Sequence, residues 1–332
     1  MNLKTKYLGL TLRTPFVLSA SPISTEIESL KRLDGNGIGA VVLHSLFEEQ
    51  LIDEQFELEY HLAHGAESFA EAISYFPNYD EFRLGPHEYL EHIRKVKSAI
   101  QCPVIASLNG TTIGGWTQYA VEMQNAGADA IELNIYNIPT DSNLTSLQIE
   151  DTYIKILEAV KKNLKIPVAV KLSPFFTNMS NIAKRFDEAG ADALVIFNKF
   201  YQPDINLETY EVEPKVTLSA SSQNLLSLRW IAILKDKIQA DLAATGGILT
   251  SADVIKMLLV GANAVQLFAT IARNGLDYPL VLNKELIAFM EQKGYESVEE
   301  MIGVLSQKNL KNSSAYERAQ YMKALTNFKL KF

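Results

Sequence analysis

The stretch Gly127-Ala128-Asp129-Ala130-Ile131-Glu132-Leu133 decides the fold, because its pattern returns along the chain. It recurs as Gly190-Ala191-Asp192-Ala193-Leu194-Val195-Ile196 and as Gly261-Ala262-Asn263-Ala264-Val265-Gln266-Leu267. A shorter form is Gly39-Ala40-Val41-Val42-Leu43. Each glycine follows a helical pattern and suits the left-handed position just past a helix C-terminus. Each apolar run after it suits a strand buried on both faces. Two more strands open on proline, Pro103-Val104-Ile105-Ala106-Ser107-Leu108 and Pro167-Val168-Ala169-Val170-Lys171-Leu172. Proline costs no ladder hydrogen bond at a first strand residue. Phe16 to Ser21 and Ala240 to Thr245 bring the strands to eight.

Helical patterns separate these strands, over about 26–34, 87–100, 115–126, 147–162, 178–189, 223–237, 251–259 and 276–291. Alternating strands and helices predict parallel pairing with right-handed crossovers, and eight such units close a (β/α)₈ TIM barrel. An open doubly wound sheet is the alternative, but no Gly-x-Gly-x-x-Gly follows the first strand. A single domain over 1–332 is expected. Its stretch from Glu291 to Phe332 reads as mostly helical, a cap on the barrel or a tail.

Composition bounds the function. Hydrophobic residues make up 47% and charged residues 21%, which fits a globular chain and not a disordered one. The net charge of −8 argues against nucleic acid as a partner, since phosphate binding needs a basic face. No apolar run has the roughly 20 residues of a membrane span, and the N-terminus lacks a signal-peptide core, so a cytoplasmic location is expected. Cys102 is the only cysteine, which excludes an intramolecular disulfide and any iron–sulfur cluster held by this chain alone. His61 and His64 stand three apart in a long loop and read as surface histidines rather than metal ligands.

Two connections exceed simple turns: Ser45 to Pro86 after strand two, and Lys199 to Ser222 after strand six. Both follow strand C-termini, the active-site face of such a barrel. Within the second, Ile205 to Val212 alternates like a strand and predicts a hairpin over the site. A packing or dimer element is the competing reading.

Polar residues occupy positions a barrel interior normally keeps apolar. Alternation sends Ala130, Glu132 and Asn134 of strand four inward, and Ala169 and Lys171 of strand five likewise. Two explanations stay open for Lys171: an ion pair with Glu132 on the neighbouring strand, or a lysine directed at a ligand. Other strand ends are polar too: Ser19-Ala20-Ser21, His44-Ser45, Ser107-Leu108-Asn109-Gly110 and Asn198-Lys199. Strand seven ends Thr245-Gly246-Gly247-Ile248 just before a helix, where backbone N–H groups suit a phosphate; a tight turn without ligand is the alternative.

Taken in order, five motifs resemble the dihydroorotate dehydrogenase family, in its soluble class and closest to a dihydroorotate dehydrogenase-like subgroup. They are Pro15-Phe16-Val17-Leu18-Ser19-Ala20-Ser21, Glu132-Leu133-Asn134, Val170-Lys171-Leu172-Ser173-Pro174, Asn198, and Thr245-Gly246-Gly247-Ile248. The resemblance implies flavin mononucleotide (FMN) as cofactor, a CH–CH oxidation of a dihydropyrimidine in pyrimidine biosynthesis, and a homodimer. It places Ala20 and Ser21 near the isoalloxazine ring and Asn134 and Lys171 at its pyrimidine edge, with Ser45 and Asn198 among the further cofactor contacts. Gly246, Gly247, Ala269 and Thr270 are implied at the phosphate.

The chain departs from the family on the substrate side. The Cys or Ser base expected three residues after Asn134 is Asn137, and an amide takes no proton near neutral pH. The following orotate-binding asparagine is Pro139, the lysine after strand two is His44, and an Asn-containing loop segment reads Glu71-Ala72-Ile73-Ser74-Tyr75. His44 and Tyr136 are the substitute bases considered. The electron acceptor has no sequence signal. The competing readings are an inactive or altered flavin-binding homologue and a flavin-free lyase or isomerase acting on a phosphorylated metabolite. Lys171→Ala is expected to impair flavin retention or reduction with little loss of fold.

Overall fold

A computed structural model describes residues 1–52, 85–114, 116–199, 202–213 and 217–318, with 321 and 326 beyond them. Eight parallel strands close a barrel in chain order. They are β1 (Phe16–Leu18), β2 (Ala40–Phe47), β3 (Val104–Asn109), β4 (Ala130–Asn134), β5 (Val168–Leu172), β6 (Ala193–Ile196), β7 (Asp241–Ala244) and β8 (Ala264–Leu267). Pairing of Val265 with Phe16 joins β8 to β1. The intervening helices are α1 (Ile27–Gly35), α2 (Pro86–Ala99), α3 (Trp116–Asn125), α4 (Ser146–Lys161), α5 (Met179–Glu188), α6 (Asn224–Leu234) and α7 (Ser251–Val260). After β8 come the short α8 (Ala269–Asn274) and α9 (Tyr278–Lys293). The TIM-barrel expectation therefore holds element by element.

The outward strand residues and the helices share one apolar layer. Inside, the lower strand positions are small: Ala40, Ala130, Ala169, Ala193, Ala243 and Ala264 are all buried. An N-terminal hairpin, Thr5–Tyr7 paired with Leu10–Leu12, uses the room they leave. It inserts Tyr7, Leu8 and Leu12 among them. The Leu8 N–H donates to Asp241 at 2.8 Å, fixing this plug to β7. One end of the barrel is thus stoppered, and the other carries the polar strand ends.

Of the expected helical C-terminal cap, residues 292–318, 321 and 326 are described. Gly294, in the left-handed region at φ 78°, ends α9. Beyond it, up to residue 318, stand mainly turns, with one four-residue helix at Val298–Met301 and a 3-10 turn at Ser313–Tyr316. Backbone donors here serve neighbouring helices instead: Gly303 N–H donates to Leu258 O, Leu305 N–H to Leu259 O and Gln307 N–H to Ala232 O. Those carbonyls belong to the last turns of α6 and α7, which lack intrahelical partners. Satisfying them holds the segment against the barrel through its turns.

Residues 204–206 and 211–213 pair antiparallel, so the hairpin expected after strand six is present. The histidines His61 and His64 and the segment 71–75 lie outside the described residues.

Candidate active site at the C-terminal rim

A cavity of about 1080 Å³ opens at the polar rim. It is large enough for a cofactor-sized ligand, whose pockets commonly span about 300–1,000 Å³. Asn109 from the end of β3, Asn134 from β4, Asn198 after β6 and Thr245-Gly246 after β7 all line it. The Asn198 side-chain amide donates to Asn134 Oδ1 at 2.8 Å, so two strand ends are locked together at its floor. Phe47, Tyr136, Pro174 and Phe175 supply an apolar wall, and Asp204 of the hairpin borders the mouth.

At one end of the cavity, Gly246 and Gly247 both adopt positive φ, at 83° and 69°. Gly247 is also held by close backbone approach: a Cβ there would lie 2.5 Å from Ala220 O and 2.8 Å from Asn224 N. Asn224 donates both to Gly247 O, at 3.1 Å, and to Asp253 at 2.9 Å. Asp253 further accepts from the Leu249 and Thr250 N–H groups, each at 3.1 Å. Thr270 is fully buried, and its hydroxyl donates to Ile248 O. The Gly-Gly turn is thus braced from three sides. The Asp253–Asn224 brace was absent from the sequence reading, although Thr250 and Asp253 carry the spacing of a helix capping box.

Burial pushes the Asp253 carboxyl up, but hydrogen bonds from Leu249, Thr250 and Asn224 outweigh it and hold the group below its ordinary value. A depressed carboxylate contributes stability that is present above the unfolded pKa of about 4 and lost as pH falls through the folded value. Asp253→Asn is expected to flatten that acid limb. Urea midpoints at about pH 7 and about pH 3 check it: the difference between the two should shrink in the variant. An unchanged difference would contradict the brace.

Inside the barrel lies a buried polar quartet. Lys171 Nζ donates to Glu132 Oε1 at 3.1 Å, to Gln266 Oε1 at 3.3 Å and to Ser19 Oγ at 3.5 Å. The Gln266 amide in turn donates to Glu132 Oε2. Lys171 and Glu132 retain 8% and 1% of their side-chain exposure, so the ion pair is built into the interior. Of the two roles left open for Lys171, the pairing with Glu132 is therefore formed. In register, Lys171 stands beside Asn134, and it borders the smaller of two neighbouring cavities at this rim rather than the larger. Gln266 went unnoticed as a partner, although alternation from the inward Ala264 points it inward.

His44 does not line the cavity. Between Val42 and Ser45 the pairing with β3 slips, from Val42 opposite Ile105 to Ser45 opposite Ser107. One extra residue reverses the side-chain alternation. Ser45 therefore turns in, its hydroxyl 2.8 Å from that of Ser107. His44 instead packs against Tyr89 and His92 of α2, with ring centroids 5.0 and 5.9 Å away. Burial and the neighbouring His92 depress its pKa to about 4, leaving it neutral at ordinary pH.

Asn137 also turns aside. It borders a smaller cavity of about 380 Å³ beside α4 and α5, and hydrogen-bonds Tyr153. Tyr136 and Ile138 are the residues of this loop that line the larger cavity. Ala20 is half-buried, whereas Ser21 is buried and its hydroxyl has no hydrogen-bond partner among the described residues. Ala269 and Thr270 open α8 next to the Gly-Gly turn, as the Thr270 bond to Ile248 shows.

Cys102 lies just before β3, at the opposite end of the barrel. Burial raises its thiol to about 11. The native protein is expected to react with a thiol reagent at neutral pH far more slowly than the unfolded chain. Equal rates would contradict this burial.

A family profile described as "Dihydroorotate dehydrogenase" matches residues 83–290. Among curated relatives, a protein named "Dihydroorotate dehydrogenase B (NAD(+)), catalytic subunit" from Thermoplasma volcanium is 27% identical over 91% of this chain and 98% of its own. A protein of the same name from Methanocella arvoryzae is 31% identical over 78% of this chain and 83% of its own. Another from Oceanobacillus iheyensis is 27% identical over 91% and 98%. With the matched segment covering most of the barrel from α2 to α9, the chain belongs to the dihydroorotate dehydrogenase family.

Proposed function

We propose that this protein is an FMN-dependent oxidoreductase acting on the CH–CH bond of dihydroorotate or a related dihydropyrimidine. The observation that carries the reading is the single cavity edge joining Asn134 and Asn198 to the braced Gly246-Gly247 turn. The residues fit the cofactor on their own chemistry. A buried, unpartnered Ser21 hydroxyl stands ready for a ligand atom at the end of β1. Two glycines of positive φ form a backbone cradle for a phosphate.

In this reading Ala20, Ser21 and Ser45 border the ring, and Asn134, Asn198 and Lys171 serve its pyrimidine edge. Gly246, Gly247, Ala269 and Thr270 hold the phosphate. FMN supplies a two-electron acceptor for the substrate. The chain's residues would orient the ring, border it with Phe47, Tyr136 and Phe175, and set the charge near it. The names of the relatives support an electron path that ends on NAD⁺ through a further subunit. A homodimer remains part of the proposal.

A second reading, an altered or inactive flavin-binding homologue, is favoured by one observation. Asn137 stands where the family's base is expected, cannot accept a proton, and hydrogen-bonds Tyr153 away from the larger cavity. Anaerobic mixing with dihydroorotate separates the two. Bleaching of bound flavin supports turnover of dihydroorotate. An unbleached flavin that is reduced by another dihydropyrimidine shifts the substrate, and no reduction by any supports the altered homologue. Asn137→Ser is not expected to restore a base, because its side chain would open into the smaller cavity. A large gain in flavin reduction by dihydroorotate would contradict that placement.

A further inference from the structure

An ammonium has three N–H donors, and all three on Lys171 are spoken for: Glu132 Oε1 at 3.1 Å, Gln266 Oε1 at 3.3 Å and Ser19 Oγ at 3.5 Å. Glu132 is itself held on its second oxygen by the Gln266 amide. The lysine is therefore aimed by a fixed carboxylate and amide, and the longest of its contacts points to the end of β1. That strand end also carries Ala20 and Ser21. A ligand reaching that strand end would compete for this third donor alone, while the other two keep the side chain in place. The quartet carries one positive and one negative charge, both nearly sealed from water. In such an interior, charges interact far more strongly than in solvent.

We propose that Glu132 is a positioning residue that acts through Lys171, cancelling its charge so that the bound flavin meets an aimed hydrogen-bond donor rather than an uncompensated cation. The inference rests on the FMN reading above. Reduction places negative charge on the pyrimidine side of the ring. An uncompensated ammonium would favour the reduced form, and a compensated one favours it less. Glu132 thus holds the reduction potential down, which suits a flavin that must pass its electrons onward.

The test loads wild type, Glu132→Gln, Lys171→Met and the double variant with FMN, then measures the bound flavin's midpoint potential and its dissociation constant at one mildly acidic pH. Glu132→Gln is expected to raise the affinity ratio of reduced over oxidised FMN about tenfold, which for a two-electron couple is about 30 mV. In the Lys171→Met background the same change is expected to do nothing, because its effect runs through the lysine. An unchanged potential in Glu132→Gln overturns the inference, as does an equal shift with and without Lys171. Glu132→Asp, which keeps the charge, should stay near the wild-type potential. If Glu132→Gln does not fold, Gln266→Met tests the same aim with both charges kept. Weaker FMN binding at an unchanged potential supports the inference, and unaltered binding overturns it. Wild type that binds no FMN would instead defeat the functional reading, so the two failures are distinguishable.

Discussion

Lys171→Met is expected to destabilise the fold by about 3–5 kcal/mol and to weaken FMN binding at the same time. The loss follows from the partner left behind. Glu132 keeps 1% of its exposure, so without the ammonium its carboxylate is either an unpaired buried charge or must take up a proton. This overturns the sequence expectation that removing Lys171 would spare the fold, because a ligand-directed lysine alone would have left no stranded partner. The double variant Lys171→Met with Glu132→Gln should recover most of the stability, since neutral side chains of similar volume often replace a buried pair at little cost. It should not recover wild-type FMN affinity. Denaturant titrations of the four proteins check the first claim and flavin titrations the second. A single variant as stable as wild type would show that the pair contributes nothing.

Gly247→Ala is expected to be the most damaging small substitution in the Gly246-Gly247 turn. The new Cβ would meet backbone atoms at 2.5 and 2.8 Å, and backbone cannot step aside as a flexible side chain can. The positive φ adds strain of about 1–3 kcal/mol. Gly246→Ala is the internal control. Its φ of 83° carries similar strain, but the nearest atom, Phe197 O, lies 3.8 Å away. The difference in stability between the two variants therefore isolates the steric clash with residues 220–224. Equal losses would contradict the close approach. FMN affinity should fall further in Gly247→Ala, because the clash displaces the turn itself.

The barrel was legible because its signals are local. Glycines that end helices, followed by runs buried on both faces, place a strand without any knowledge of its neighbours. The helices accordingly begin and end within a few residues of their expected bounds. Inward Glu132 and Lys171 were legible for the same reason, since strict alternation holds through β4 and β5. Alternation failed at His44, where one inserted residue in β2 exchanges the roles of His44 and Ser45. Nothing in Val42-Leu43-His44-Ser45 marks a bulge, because the register is set by pairing with β3. Asn137 lies past the strand end, where no periodicity fixes a side chain, and its bond to Tyr153 depends on how α4 packs. The Asp253 brace joins three segments far apart in sequence and emerges only once β7, α6 and α7 are assembled.

The most direct measurement is a titration of the purified, flavin-stripped protein with FMN, followed by absorbance and by quenching of flavin fluorescence. Saturable binding of one FMN per chain is expected, greatly weakened by Gly247→Ala and weakened to a still measurable affinity by Lys171→Met. Absence of any spectral change in wild type, or binding indifferent to both substitutions, would contradict it.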